Sequence, residues 1–184
     1  MSERFTLRPT AIAGVVELVR KRMGDERGWL ERMFCVDELR EAGWVKPVMA
    51  INRTFTGRKG TLRGMHFQRA PMAEMKLVSC LAGEVLDVAV DLREGSPTYL
   101  NWVGVPLSSE RQNSLLIPEG CAHGFQTLTD DVEMLYLHSQ VYAPEAEGGL
   151  RPTDPQLAID WPLPVTEISP RDRSHPLIAA SGES

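Results

Sequence analysis

The chain has 184 residues, of which 42% are hydrophobic and 24% charged, as in an ordinary globular domain with a packed core. The formal net charge is −5 and the basic residues form no run, which argues against a nucleic-acid-binding surface. No stretch of about 18 apolar residues is present and no apolar signal region follows Met1. We therefore expect a cytoplasmic protein without a membrane span. The three cysteines, without a CxxC pair, favour free thiols over disulfides or a zinc site.

Short runs rich in valine, leucine and aromatic residues follow one another along the chain, separated by turn-forming residues. The run Val85–Asp91 partly alternates between apolar and polar residues, as a strand with one buried face does. Strands at a spacing of about 8–12 residues predict an all-β sandwich or barrel. The predicted strands are Lys76–Leu81, Val85–Leu92, Trp102–Val105, Ser114–Ile117, Gly124–Leu128 and Val132–Leu137.

Helical character is confined to two regions of the sequence. The segment Cys35–Ala42 predicts a short helix that begins at Val36 or Asp37 and stops at Gly43. The C-terminal quarter has the composition of loops and helix. We therefore predict a single domain over residues 1–184, with an N-terminal strand region (1–44), a β-rich core (45–142) and a loop-and-helix tail (143–184).

The segment Gly60–Gln68 contains the first histidine with a chemical context. Arg63 and His66 are three residues apart, so in a regular strand their side chains point to opposite faces. Gly64 lies between them, and glycine in a strand can mark a bulge. We therefore predict a bulge that directs both side chains into one pocket.

The segment Ile117–Phe125 contains the second such histidine. Its Pro-x-Gly-x-x-His spacing, ending at His123, resembles the second half-motif of the cupin barrels. In metal cupins this histidine joins a His-x-His pair and a glutamate, but here Gln68 occupies the second position after His66. Two histidines without a third matched ligand predict no metal centre. A metal-dependent cupin enzyme stays open as an alternative.

Without a metal, the remaining polar residues favour proton transfer. A histidine side chain, with a reference pKa of about 6.5, can accept a proton near neutral pH, which suits His66 to a general base. A carboxylate on the other ring nitrogen would fix the tautomer and stabilise the imidazolium, although residue types alone do not select that carboxylate. Tyr136 is either an amphipathic strand residue or a participant in the chemistry.

An ordered set of motifs, from about residue 7 to residue 176, resembles the dTDP-4-dehydrorhamnose 3,5-epimerase family. These motifs are 24–28 (GDERG), 60–68 (GTLRGMHFQ), 76–78 (KLV), 83–93 (GEVLDVAVDLR), 95–98 (GSPT), 117–125 (IPEGCAHGF), 154–155 (DP) and 159–162 (IDWP). The resemblance implies a mainly β fold, a cupin-type jelly-roll barrel with short helices in its N-terminal and C-terminal regions. It also implies a homodimer that exchanges N-terminal strands, and catalysis without metal or cofactor. The implied substrate is a small nucleotide sugar such as dTDP-4-dehydro-6-deoxyglucose, converted to dTDP-4-dehydrorhamnose.

The resemblance also assigns roles to individual residues. His66 matches the general base, Tyr136 the general acid and Asp172 the carboxylate that partners the histidine. Arg27 matches an arginine that reaches the neighbouring subunit's site, and Asn52 an asparagine near the sugar. Tyr142 matches the aromatic residue that stacks on the base, and further substrate contacts are implied for Arg63, Lys76, His123, Glu147 and Arg171.

These residue types suit epimerisation beside a ketone. The C4 ketone acidifies the hydrogens on C3 and C5, because either carbanion delocalises into an enolate. His66 would remove a proton from one face, Lys76 would stabilise the oxyanion, and Tyr136 would return a proton on the opposite face. The arginines suit the diphosphate, since their charge persists and their fork matches phosphate oxygens.

A non-catalytic sugar-nucleotide-binding module in the same fold is a further alternative, against which the presence of His66, Tyr136 and Asp172 argues. The sequence also differs from many family members at several positions, which leaves open a mono-epimerase of another nucleotide deoxysugar. The differing residues are Met23, Glu31-Arg32, Glu74-Met75, Leu116 and Leu137.

Overall fold

The computed structural model describes residues 4–178, and β-strands are the predominant secondary structure among them. The strands are β1 (Phe5–Pro9), β2 (Val16–Arg20), β3 (Met23–Asp25), β4 (Gly28–Leu30), β5 (Ala50–Thr56), β6 (Thr61–Gln68), β7 (Lys76–Ala82), β8 (Glu84–Asp91), β9 (Trp102–Ser108), β10 (Asn113–Ile117), β11 (Cys121–Thr127), β12 (Val132–His138), β13 (Glu147–Gly149) and β14 (Glu167–Ile168). The helices are α1 (Val36–Leu39) and α2 (Pro170–Ser174), with one 3₁₀ turn at Pro144–Ala146. No helix within residues 4–178 has the length and apolar character that a bilayer crossing requires.

The strands form two large sheets and one hairpin. The first sheet has the order β1-β2-β10-β7-β12-β5, and the second has the order β13-β6-β11-β8-β9 with β14 parallel to β6. The third is the β3–β4 hairpin. The predicted mainly β jelly roll with short helices is confirmed, and the N-terminal strand β2 is built into the first sheet beside β10.

The two large sheets enclose the main hydrophobic core. Successive residues of a strand point to opposite faces, so Val78 packs between the sheets while Leu77 packs on the outer side of the first sheet. The segment around α1 covers that outer side with the fully buried Leu39 and Trp44. Residues of the C-terminal segment, Leu157 foremost, cover the outer side of the second sheet. The segments around α1 and Leu157 thus cover the outer sides of the two sheets, and the space between the sheets holds a core and a cavity.

Most predicted strands differ from the structure by one residue at an end, and larger differences occur in β9, β11 and α1. Strand β9 continues to Ser108 rather than ending at the predicted Val105. Strand β11 begins at Cys121 rather than at the predicted Gly124, because all seven of its residues are buried and give no alternating signal. Helix α1 begins at Val36 as predicted but ends at Leu39. Turns follow it up to Gly43, whose φ of +102° is a left-handed conformation that favours glycine.

Candidate active site

A cavity of about 260 Å³ lies between the inner faces of the two large sheets. The first sheet contributes side chains from β5, β7 and β12, and the second contributes side chains from β6 and β11. The lining residues are Asn52, Thr54, Lys76, Tyr136 and His138 from the first sheet and Arg63, His66, His123 and Phe125 from the second. The cationic side chains of Arg63 and Lys76 favour an anionic ligand.

A bulge in β6 brings Arg63 and His66 to this cavity together. His66 is paired with His123 and Arg63 with Phe125, so three steps along β6 oppose two along β11. The strands approach closely there, since a Cβ on Gly124 would lie only 2.7 Å from the carbonyl oxygen of Arg63. The bulge predicted from the glycine between the arginine and the histidine is therefore present.

His66 and Asp172 form a hydrogen-bonded dyad at the edge of the cavity. His66 Nε2 lies 2.7 Å from Asp172 Oδ1, and the backbone N–H of Gly64 donates to Asp172 Oδ2 at 3.1 Å. Burial alone would raise the pKa of Asp172, but hydrogen bonds from His66 and Gly64 lower it below the ordinary value. Asp172 is thus a carboxylate at neutral pH. The His66 side chain is 37% exposed, and its other ring nitrogen, Nδ1, is available to a substrate.

Helix α2 holds Asp172 in place although it has only five residues. The side chain of Ser169 caps the helix by accepting the backbone N–H of Asp172 at 3.0 Å. Immediately before it, β14 pairs with β6 through Glu167↔Thr61 and Ile168↔Leu62. The C-terminal tail is therefore attached to the strand that carries His66.

A second histidine–carboxylate dyad lies deeper in the barrel. His123 Nε2 is 2.7 Å from Asp87 Oδ1, and both side chains are almost completely buried. The His123 ring meets the Tyr136 ring edge-on, with 6.1 Å between centroids. Asp87 orients His123 against the floor of the cavity beside Tyr136.

Tyr136 faces His66 across the cavity from the opposite sheet. Burial raises the pKa of Tyr136, and the hydrogen-bonding contact of its hydroxyl with Thr54 Oγ1 at 3.4 Å offsets this only in part. Tyr136 therefore keeps its proton at neutral pH, which suits a proton donor.

Lys76 is fixed by two acceptors. Its Nζ lies 3.2 Å from Glu74 Oε1 and donates to the backbone carbonyl of His66 at 3.2 Å. An ammonium has three donors, so among residues 4–178 these contacts leave one N–H for a ligand oxygen. The arrangement suits the stabilisation of an oxyanion inside the cavity.

Three of the predicted substrate contacts, Tyr142, Glu147 and Arg171, lie outside this cavity. Arg171 lines an adjoining cavity of about 540 Å³ that shares Arg63 and His66 with the first. Glu147 forms an ion pair with Arg171 and accepts the hydroxyl of Tyr142 at 2.7 Å. The Tyr142 ring is 63% exposed, so its face is accessible to a ligand.

Arg27 is the predicted site residue that the fold does not bring to this region. It lies in the turn of the β3–β4 hairpin, 90% exposed, and pairs with Asp25 at 2.5 Å. It lines neither of the two cavities described above.

The position that carries the second metal ligand in metal cupins does not face the cavity. Gln68 is buried and donates to the carbonyl groups of Met72 at 2.9 Å and Val141 at 3.2 Å, while accepting the N–H of Ala143 at 2.7 Å. One group within residues 4–178, His66, Asp172 and His175, places a ligand atom each within 4.8 Å of the others. A metal there would compete with the hydrogen bond of the dyad.

Sequence reasoning missed four polar residues of the site. Asp87 had a signal, because it is an acidic residue inside the apolar run Val85–Val90. Glu74 and His138, hydrogen-bonded at 2.8 Å, are 64 positions apart and had no local signal. Thr54 was hidden among the polar residues of β5.

Comparison with known proteins places this geometry in a family context. A family model described as dTDP-4-dehydrorhamnose 3,5-epimerase matches residues 9–180. The chain is 42% identical to the dTDP-4-dehydrorhamnose 3,5-epimerase of Salmonella typhimurium over 170 residues, 92% of this chain and 93% of that one. It is 38% identical to the dTDP-4-dehydrorhamnose 3-epimerase of Streptomyces niveus over 178 residues, 97% of this chain and 86% of that one.

A solved structure agrees with these sequence matches. The dTDP-6-deoxy-D-glucose-3,5-epimerase of Legionella pneumophila, in complex with dTDP-4-keto-L-rhamnose, superposes with a TM-score of 0.88 at 41% identity. The match covers 94% of this chain and 92% of that chain.

Proposed function

Because the chain belongs to the dTDP-4-dehydrorhamnose 3,5-epimerase family, we propose that it inverts C3 and C5 of a dTDP-4-keto-6-deoxyhexose. The observation that carries this proposal is the placement of the His66–Asp172 dyad and of Tyr136 on opposite sheets of one cavity. Inversion needs a base on one face of the sugar ring and an acid on the other, and this cavity supplies both.

At each inverted carbon, one proton is removed from one face and one proton is returned to the opposite face. The free ring nitrogen of His66 takes the proton from C3 or C5, and the electron pair of the broken C–H bond moves into the C4 carbonyl. Lys76 stabilises the resulting enolate oxygen by charge and hydrogen bonding. Tyr136 then donates its hydroxyl proton to the opposite face of the carbon, and solvent restores the tyrosine and the neutral histidine.

Substrate binding divides between the two cavities. We assign the hexose to the cavity that contains Lys76 and Tyr136. Arg63 at the junction and Arg171 beyond it are placed to contact the diphosphate, and the exposed ring of Tyr142 is placed to stack on the base. The fixed cations suit a nucleotide sugar with two phosphate charges. The cytoplasmic location stays a prediction from the sequence.

The test is deuterium incorporation from heavy water into dTDP-4-dehydro-6-deoxyglucose, followed by NMR at each carbon. We expect deuterium at C3 and C5 together with inverted product. The 3-epimerase among the similar proteins makes inversion at C3 alone the second candidate, and incorporation at one carbon would select it. The absence of any incorporation by the wild type, with His66→Ala as the baseline, would contradict both.

We also propose a homodimer in which Arg27 completes the neighbouring subunit's site. Supporting observations are the exposed apolar side chains of the β3–β4 hairpin and of the outer face of edge strand β5. These are Met23, Trp29 and Leu30 on the hairpin and Ile51 and Phe55 on β5, each at least 46% exposed. Exposed apolar residues of this size mark interaction surfaces.

Complementation tests the shared site. If Arg27 acts in the neighbouring site, Arg27→Ala and His66→Ala homodimers are each nearly inactive. Refolded together, half of the dimers are mixed and each mixed dimer contains one intact site, so about a quarter of wild-type activity returns. Failure to recover activity, with mixed dimers verified by mass spectrometry, would place Arg27 outside the neighbouring site.

A further inference from the structure

Glu74 and His138 form a third histidine–carboxylate pair that the mechanism above does not use. His138 Nδ1 lies 2.8 Å from Glu74 Oε2, and the two side chains are 15% and 10% exposed. Glu74 Oε1 also contacts the ammonium of Lys76. Burial alone would raise the pKa of Glu74, but the hydrogen bond from His138 and the charge of Lys76 lower it below the ordinary value. Glu74 is therefore a carboxylate at neutral pH.

This carboxylate fixes the tautomer of His138. An ionised carboxylate only accepts hydrogen bonds, so the proton of a neutral His138 lies on Nδ1. Its Nε2 is then an acceptor, which takes the side-chain N–H of Asn52 at the long distance of 3.4 Å, a contact that a substrate hydroxyl would replace in the cavity. The ring is also oriented by Tyr136, with 6.1 Å between centroids and 22° between planes.

A hydrogen-bond acceptor at this position suits the proposed hexose substrate. A 4-keto-6-deoxyhexose carries hydroxyl groups on C2 and C3, and each hydroxyl donates one hydrogen bond. Arg63 and Lys76, which line the same cavity, offer only donors. A hydroxyl that turns away from these cations needs an oriented lone pair, and the His138 ring presents one beside the proposed proton donor.

We infer that His138 is a further substrate-contacting residue, which accepts a hydrogen bond from a hexose hydroxyl through Nε2 while Glu74 acts as its positioning residue. This inference rests on the proposed function, because it needs the hexose in the cavity. It adds a determinant of sugar specificity: hexoses without that hydroxyl lose the contact, while the nucleotide part is unaffected.

Two matched variants separate substrate contact from structural support. In His138→Gln, the side-chain amide oxygen reaches the position of Nε2 but the bond to Glu74 is lost. In His138→Asn, the amide nitrogen replaces Nδ1 and still donates to Glu74, but no acceptor reaches the cavity. Calorimetric affinities for dTDP and for dTDP-6-deoxyglucose, which has the hydroxyls but no ketone, are measured for both variants, with thermal unfolding as the folding control.

We expect His138→Asn to weaken dTDP-6-deoxyglucose binding about 3- to 10-fold, the range of one neutral hydrogen bond, with dTDP affinity unchanged. His138→Gln should stay within about twofold of the wild type for both ligands. Glu74→Gln, which no longer fixes the tautomer, should weaken only the hexose-containing ligand.

Other patterns would overturn the inference. The reverse order, with His138→Asn normal and His138→Gln impaired, would reduce His138 to a support for Glu74. Equal losses in both variants would assign its role to packing on Tyr136, and wild-type affinities in both would leave it no role in binding. Because these are binding measurements, they are independent of whether the wild type incorporates deuterium, which tests the proposed reaction.

Discussion

The replacement Asp172→Asn tests the dyad most directly, because it removes one charge and changes almost no volume. As His66 takes a proton it becomes an imidazolium, with its Nε2 held 2.7 Å from Asp172 Oδ1. Two unit charges centred about 4 Å apart attract by about 4 kcal/mol at an effective dielectric constant of about 20. His66 is partly exposed, so we take half of this attraction, about 2 kcal/mol, which corresponds to about 30-fold in rate.

The same replacement also disturbs the tautomer of His66. An asparagine amide group facing Nε2 donates a hydrogen bond to it, which moves the ring proton to the other nitrogen. That other nitrogen is the atom that must accept the proton of the substrate. Together the two effects predict a fall in kcat of about 10²- to 10³-fold with little change in dTDP affinity.

The assay is the initial rate of deuterium incorporation at C3 and C5, measured at saturating substrate. Asp154→Asn is the matched control, because Asp154 is a buried carboxylate of the same tail whose side-chain oxygens accept, within the described residues, the backbone N–H groups of Gln156 and Ile178. It should lower the unfolding temperature and leave kcat near the wild-type value. A fall of less than about threefold in Asp172→Asn would refute the role assigned to the dyad.

Three further predictions concern the acid, the bulge and a buried carboxylate. In Tyr136→Phe, His66 should still exchange the substrate proton for deuterium but return it to the same face of the carbon. NMR should therefore detect labelled substrate and almost no inverted product. Normal inversion would exclude Tyr136 as the acid. Gly124→Ala places a Cβ 2.7 Å from a backbone oxygen and should cost about 1–3 kcal/mol in chemical denaturation, whereas Gly57→Ala, with its nearest contact at 3.6 Å, should be close to neutral. Asp91 accepts hydrogen bonds from Arg93, Ser96 and Thr98, which lower its pKa against the effect of burial. Asp91→Asn should therefore cost about 2–3 kcal/mol at pH 7, and the difference from the wild type should shrink as the pH falls below about 4; a pH-independent difference would contradict the ionic origin.

The strands of the core could be predicted because their burial leaves a pattern in the sequence. Strand β12 alternates between buried and partly buried residues from Val132 to Leu135, and the turn at 129–131 marks its start. Strand β11 is buried along its whole length, so its first residues had no periodicity to reveal them. The glycine between Arg63 and His66 signalled the bulge, which is a local backbone effect.

The partners of the histidines could not be predicted from residue types, because they are brought together by the fold. His66 and Asp172 are 106 positions apart and meet only when β14 docks on β6. Family resemblance supplied Asp172, but it gave no indication of the contact between Glu74, two residues before β7, and His138 at the end of β12. The sequence shows that Glu74 differs from many family members. Its contact with His138 follows only from the register of β7 and β12, in which Lys76 is paired with His138.

The attachment of Asp172 through a short tail separates two properties of the protein. The shape of the cavity is fixed by the barrel strands, whereas the carboxylate behind His66 arrives on a helix outside the barrel wall, secured by Ser169 and two residue pairs. Changes that alter the pairing of β14 with β6 would shift that carboxylate, while the cavity that contains Lys76 and Tyr136 has no lining residue from the tail. Evolution can thus change the catalytic carboxylate and the Arg171 contact together in this scaffold while the cavity proposed for the hexose is inherited unchanged.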